Sequence, residues 1–259
     1  MKRELIPRPL RACLWALVAI LLAITYYIAL GCPTLSIRQE FRRAEKANLV
    51  GPSNIVDRVS MPQYSEFETM LVGETDHGII FFGKYGTTRS GNKFSGDRYY
   101  RFSYQEKTGD VTFAAAPNIF GYTGLYSLPV YVFTEHEDAV SATIRITTGG
   151  SRSYTINGQK VTDPFHVTFH GEAQRDQNGF FRFDLTAESL HNPTGTFGRD
   201  NDQAYALFCL SNLCNDTYYY DNQRTMVIPI RVTLFDADGN EILTKELQLG
   251  PYEQPKPDK

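Results

Sequence analysis

From Ala12 to Gly31 the chain reads ACLWALVAILLAITYYIALG, without one charged side chain. A helix rising ~1.5 Å per residue carries such a run across a ~30 Å hydrocarbon layer. Nothing after it is comparably apolar. The sequence therefore predicts one membrane-spanning helix over 12–31 and a water-facing remainder, which limits the whole chain to a single-pass plan. Ahead of the run lie Lys2, Arg3, Arg8 and Arg11 with a single acid, Glu4. That basic flank favours a cytoplasmic amino end over residues 1–11 and an extracytoplasmic carboxyl-terminal part. The following flank opposes it weakly, because Arg38, Arg42, Arg43 and Lys46 are interleaved with Glu40 and Glu45.

The apolar run admits two fates. As a retained signal-anchor it places Trp15, Tyr26 and Tyr27 near the interfaces. As a lipoprotein signal it would be cleaved before Cys32, since Ile28-Ala29-Leu30-Gly31-Cys32 fits a permissive lipobox. The run exceeds the ~7–15 apolar residues of a cleaved signal, so the retained helix is expected and lipidation of Cys32 is the alternative.

Residues 32–60 read as a juxtamembrane helix and linker. Ser36 and Gln39 form a capping box, the helix runs from Ile37 to about Val50, and Gly51-Pro52 ends it. Ile37, Phe41 and Ala44 share one face, and the basic groups around the rest suit either anionic headgroups or water.

Beyond residue 60 the period changes from helical to alternating. Abundant aromatics (16 Tyr and 17 Phe against one Trp) suit pleated surfaces. A four-stranded meander is expected over 61–117, from strands at 66–73, 79–85, 98–104 and 111–115. Longer β patterning fills 118–250. It predicts strands at 130–133, 141–147, 154–156, 159–161, 165–173, 180–187, 204–210, 226–235 and 241–249. Turns are marked by Asn157-Gly158, Asp176-Gln177-Asn178-Gly179 and Asp236-Ala237-Asp238-Gly239-Asn240. Each strand has one apolar face that a second sheet must cover, which predicts an antiparallel sandwich. Residues 251–259 read as a disordered tail. The fold class is therefore all-β behind two amino-terminal helices.

The closing hairpin, Arg231 to Ile242, resembles the last hairpin of immunoglobulin-like extracytoplasmic domains in bacterial surface proteins. The whole layout is similar to single-pass β-sandwich proteins of Gram-positive bacteria. That resemblance implies a binding or scaffolding role at the cell surface and names neither ligand nor functional residue.

Motifs for chemistry are few. Ser90-Gly91-Asn92-Lys93 and Lys107-Thr108-Gly109 spell fragments of the penicillin-recognising pattern. They lie only 14 residues apart, without the helical domain that pattern needs. His166 and His170 fall on a strand, about 13 Å apart at ~3.3 Å per residue, too far for one zinc. Asp236, Asp238 and Asn240 have calcium-loop spacing, but Glu241 stands where that loop needs glycine, so a hairpin turn is expected. No metal or cofactor is expected. Cys209 and Cys214 are expected to form a disulfide if the domain is extracytoplasmic. Tyr218, Tyr219 and Tyr220, flanked by acids, are candidates for stacking on a sugar or peptide. Glu66, Glu68, Glu74 and Asp76 form an acidic hairpin face whose paired carboxylates would suit sugar hydrolysis, though a solvated face is the plainer reading. The absence of a basic stripe argues against nucleic acid.

The expectation is a membrane-anchored, non-enzymatic binding or scaffolding protein with a protein or glycan ligand. A carbohydrate-binding module and a cell-envelope hydrolase are the alternatives.

Overall fold

The structure is a computed structural model that describes residues 8–29, 36–60, 67–85, 100–117, 127–156, 158–187, 202–215 and 226–250. The chain divides into two units, Met1–Val50 with Gly86–Tyr100, and Gly51–Tyr85 with Arg101–Lys259. Among the described residues the first unit carries two helices. The second carries nearly all of the β structure, which is mostly antiparallel.

Helix α1 (Arg8–Ala29) begins four residues before the uncharged run, at Arg8-Pro9. Proline suits a first helical turn because its missing N–H has no intrahelical partner there. Large side chains are exposed all round it, among them Leu14, Trp15, Leu17, Ile20, Leu22 and Tyr26. Helix α2 (Ile37–Ala47) starts as expected, with the Ser36 hydroxyl accepting from the Gln39 amide. It buries Phe41, Ala44 and Glu45.

Its end departs from expectation. Leu49, not Gly51, takes the left-handed conformation, at φ 58°. Leu49 N–H bonds to Lys46 O and Val50 N–H to Glu45 O, which is a complete Schellman closure two residues before the glycine.

The β body has three sheets. In the first, β1 (Asn54–Ser60), β2 (Phe67–Glu74), β3 (Gly78–Tyr85) and β4 (Tyr100–Glu106) lie in that order. Strand β1 falls where a linker was expected. A register shift between Ile55 and Asp57 lets Val56 and Val59, three residues apart in the chain, both be buried, so the strand lacks the simple alternation.

The third sheet has order β5-β6-β9, from β5 (Val111–Ala115), β6 (Ser127–Thr134) and β9 (Phe180–Thr186). The expected meander is thus corrected: β4 and β5 are joined by the turn at Gly109 (φ 69°) but belong to different sheets. At their parting the Gln105 side chain stands in for a strand. Its amide donates to Ala115 O (2.8 Å) and its oxygen accepts from Ala115 N–H (3.2 Å). The division expected at 117/118 is likewise crossed, because β5 pairs with β6 from Val111↔Thr134 to Ala115↔Val130.

The second sheet has order β11-β10-β7-β8. Four short strands were expected between 141 and 173. The chain forms two long ones instead, β7 (Ser141–Ile156) and β8 (Gln159–Gln174), about a turn at Gly158 (φ 81°). Gly149 and Gly150 do not break β7. A Cβ on Gly149 would meet His166 Nδ1 at 3.1 Å, so the glycine makes room for the partner strand. The expected closing pair is present as β10 (Ile228–Phe235) and β11 (Glu241–Leu249).

The strand expected at 204–210 is a helix, α3 (Asp202–Cys214). Alanine and leucine fill the run with no β-branched residue, and an apolar stretch this long outlasts a typical strand. Every residue from Ala204 to Leu213 is buried, and α3 packs on β5, β6, β7, β8 and β9. One core cluster therefore includes Val56, Phe81, Val130, Ile146, Leu207 and Val232, drawn from all three sheets and the helix.

Within that core Thr148 of β7 is 1% exposed, and its hydroxyl has no hydrogen-bond partner among the described residues. A buried unpaired hydroxyl destabilises, and valine has nearly its shape. We expect Thr148→Val to stabilise the protein by about 1 kcal/mol, roughly 2–4 °C in Tm, measured by calorimetry. A lower Tm would mean that the hydroxyl is satisfied.

Candidate functional site

The turns at one end of the β body enclose an open recess of about 630 Å³. The β2–β3 turn supplies Glu74, Asp76 and His77. β4 and the turn after it supply Tyr104, Glu106, Lys107 and Asp110, and Glu135 follows β6. Each turn is fixed by its own short-range bonds. Thr75 Oγ1 accepts from the amides of His77 and Gly78, and Thr108 N–H donates to Thr112 Oγ1. Lys107 N–H donates to His77 O, which ties the two turns together (2.9 Å).

Five carboxylates thus face a recess whose lining contains one lysine. Lys107 Nζ is committed to Glu74 Oε1 at 2.6 Å. Lys245 of β11 reaches in to Asp110 Oδ1 at 2.8 Å, and His136 Nε2 lies 3.7 Å from the other Asp110 oxygen. The hydrogen bond from Lys245 is the main reason that the Asp110 carboxyl ionises below its ordinary 3.8. Even with both lysines counted, carboxylates outnumber cations, so the recess is electronegative and suits a positively charged group.

Tyr104 stands at the mouth, 37% exposed. Its ring occupies the space beside Gly78, where an added Cβ would come within 2.4 Å of the ring carbon Cζ. Any side chain at Gly78 would displace the Tyr104 ring, and the constraint is one of packing, since Gly78 φ is not in the left-handed region.

A second polar cluster lies deeper and is structural. Tyr131, fully buried on β6, donates to Asp57 Oδ2 of β1 (2.9 Å), and Arg182 of β9 donates to the same oxygen (3.2 Å). Burial, then the Asp57 charge, hold the Tyr131 phenol well above the ordinary tyrosine range. The pair fastens the first sheet to the third.

Tyr218, Tyr219, Tyr220, Cys32, Glu66, Ser90 and Lys93 lie outside the described residues. Glu74 and Asp76 of the expected acidic face do line the recess, and so do Lys107 and Gly109 of the Lys107-Thr108-Gly109 turn. His166 and His170 are exposed on one face of β8, as their strand pattern predicts.

The Asp236 turn holds its own carboxylate. Oδ1 accepts from the amides of Asp238 and Asn240, and Oδ2 accepts from the Asn240 side chain.

The expected disulfide is corrected. Cys209 and Cys214 are thiols on α3. Five helical residues rise ~7.5 Å and turn the side chains about 140° apart, beyond the reach of a bridge.

Asp110, Glu106, Glu135 and Lys245 carried no sequence signal, because only the fold brings turns this far apart in the chain to one place. Among the described residues no three His, Cys, Asp or Glu side chains gather closely enough to hold a metal.

These features define a class: an antiparallel β protein behind an exposed apolar helix, with an acidic recess at its turns. No protein-family model and no curated protein matches the chain.

Two outcomes are expected. Gly78→Ala should push the Tyr104 ring from the mouth of the recess, seen as a shift of its ring resonances by NMR; unchanged resonances would contradict the packing. Lys245→Met should return the Asp110 pKa toward 3.8, read by carboxyl NMR titration. In the wild type the stability gained from this contact is present above the ordinary value. It is lost as pH falls through the depressed one, so the variant should lose that part of its acid dependence.

Proposed function

We propose that this is a membrane-anchored extracytoplasmic β protein with a binding or scaffolding role. The observation that carries the reading is α1. Its Pro9–Tyr27 stretch is long and apolar enough to cross a membrane, and among the described residues none of it is buried. The basic residues ahead of it favour an amino terminus in the cytoplasm and a β body outside. The resemblance of the Arg231–Ile242 hairpin to immunoglobulin-like surface domains points the same way.

The acidic recess is the surface to which we assign the partner, a ligand presenting a positive charge such as an amine or a basic peptide. The stacking reading of Tyr218, Tyr219 and Tyr220 stays a second proposal, tested by a glycan array on the full chain. Binding to no glycan removes it.

Trp15 makes the anchor testable, because it is the only tryptophan and lies on α1. With the full chain reconstituted in vesicles, its emission should be blue-shifted and quenched by lipids brominated on the acyl chains. Water-like emission without quenching would overturn the anchor. Loss of the first 31 residues from the mature mass would replace it with lipidation at Cys32.

A further inference from the structure

Two histidines adjoin the acidic recess. His77 lines it from the β2–β3 turn and is exposed. His136 stands on the segment that follows β6 and is half-buried. Its Nε2 is shut from solvent, has no hydrogen-bond partner among the described residues and lies 3.7 Å from Asp110 Oδ2. That separation is too long for a hydrogen bond. A neutral imidazole there leaves the carboxylate charge nearly untouched, whereas an imidazolium offsets it and can donate to it.

The backbone holds His136 in this position. Its N–H donates to Thr134 Oγ1 (3.2 Å), and Glu135 N–H donates to Asp110 O (3.2 Å). Arg175 Nη1 donates to the carbonyls of His136 and Glu137, at 2.7 and 2.8 Å. The charged groups about His136 are Asp110 of the β4–β5 turn, Lys245 of β11 on the other Asp110 oxygen, Arg175 of β8, and Glu135, Glu137 and Asp138 of its own segment. Those about His77 are Asp76, Glu106 and the Glu74–Lys107 pair.

Lys107 and Lys245 answer Glu74 and Asp110, while Asp76, Glu106 and Glu135 have no ion-pair partner among the described residues. With neutral imidazoles the carboxylates outnumber these cations by three, and with both imidazoles protonated by one. Histidine is the side chain whose ordinary pKa, ~6.5, places that change between neutral and mildly acid conditions. We infer that the recess is proton-gated: protonation of His77 and His136 offsets its carboxylates and releases a cationic ligand in mild acid. The inference rests on the assignment of a positively charged partner to the recess and adds the condition under which that partner leaves. The sign follows from linkage. A cation favours the unprotonated imidazoles, so its affinity rises with pH and its binding expels protons.

The test uses the full chain in phosphatidylcholine vesicles and an acetylated, amidated tetralysine peptide, whose own charge is constant between about pH 7.5 and about pH 5.5. A unit charge met across a few ångströms of water-screened space alters affinity several-fold. We expect the affinity to fall about tenfold between those two conditions. Calorimetry near pH ~6.5, in buffers of different ionisation enthalpy, should register net proton release on binding. His136→Gln should remove part of the pH dependence and His77→Gln with His136→Gln most of it. The quantity compared is the ratio of affinities at the two pH values, which a general structural loss would not move. At about pH 7.5, Glu106→Gln with Glu135→Gln should weaken binding by at least about fivefold, which places the peptide in the recess.

Equal affinity at both pH values, a pH dependence that survives the double histidine substitution, or binding without proton release would overturn the gate and leave the recess its ligand. Absence of binding in the neutral condition, or binding indifferent to the Glu106 and Glu135 substitutions, would instead overturn the recess as the partner's surface, and the gate with it.

Discussion

The β body depends on how it covers a helix that has no polar side. Buried from Ala204 to Leu213, α3 cannot face water in any direction, so strands must reach it from several sides. β5, β6 and β9 of the third sheet do so together with β7 and β8 of the second. Specific contacts show how close that fit is. Tyr205 meets the Phe165 ring edge-on at 5.1 Å, and Gly171 leaves room for Phe183, which a Cβ there would approach to 2.9 Å. Helix carbonyls and loop groups at the far end are satisfied by side chains. Asn215 donates to Ser211 O, and Ser211 donates to Ala116 O.

Wrapping a helix forces strands that are neighbours in sequence to part, and polar side chains stabilise the partings. β4 and β5 diverge, and Gln105 completes the bonds that a ladder would have made, while Asn215 accepts from Gln105 and from Ser103. β1 meets the third sheet through Asp57, Tyr131 and Arg182. In each case the buried polar groups pair with one another, which avoids the cost of leaving any unsatisfied. The acidic recess follows from the same divergence: the β2–β3 and β4–β5 turns, from the first sheet and its departure, meet the end of β6 from the third.

The features legible in the sequence are local. The uncharged run, the Ser36 cap and the turn glycines at 109, 158, 179 and 239 act through their own backbone, and all four glycines have positive φ. The closing hairpin alternates cleanly, and its bounds were readable to within two residues. What was hidden depended on partners. A bulge disguised β1, an apolar run without a visible period disguised α3, and β7 was expected to stop at residue 147, before Gly149 and Gly150, because the strand that needs their space lies across the sheet. The recess was half readable. Glu74 and Asp76 share a hairpin, whereas Asp110 and Lys245 meet only because the second and third sheets share a core.

The two apolar helices are a useful contrast, because the chain treats them oppositely. α3 is smothered by strands. α1 carries nine Leu, Ile and Val residues, yet among the described residues its Pro9–Tyr27 stretch is not buried. On an insertion scale of about 0.3 to 0.6 kcal/mol each, those nine favour the bilayer by roughly 3 to 5 kcal/mol, before Ala, Trp and Tyr are counted. Within the β body the strands close their apolar faces on α3 and on one another.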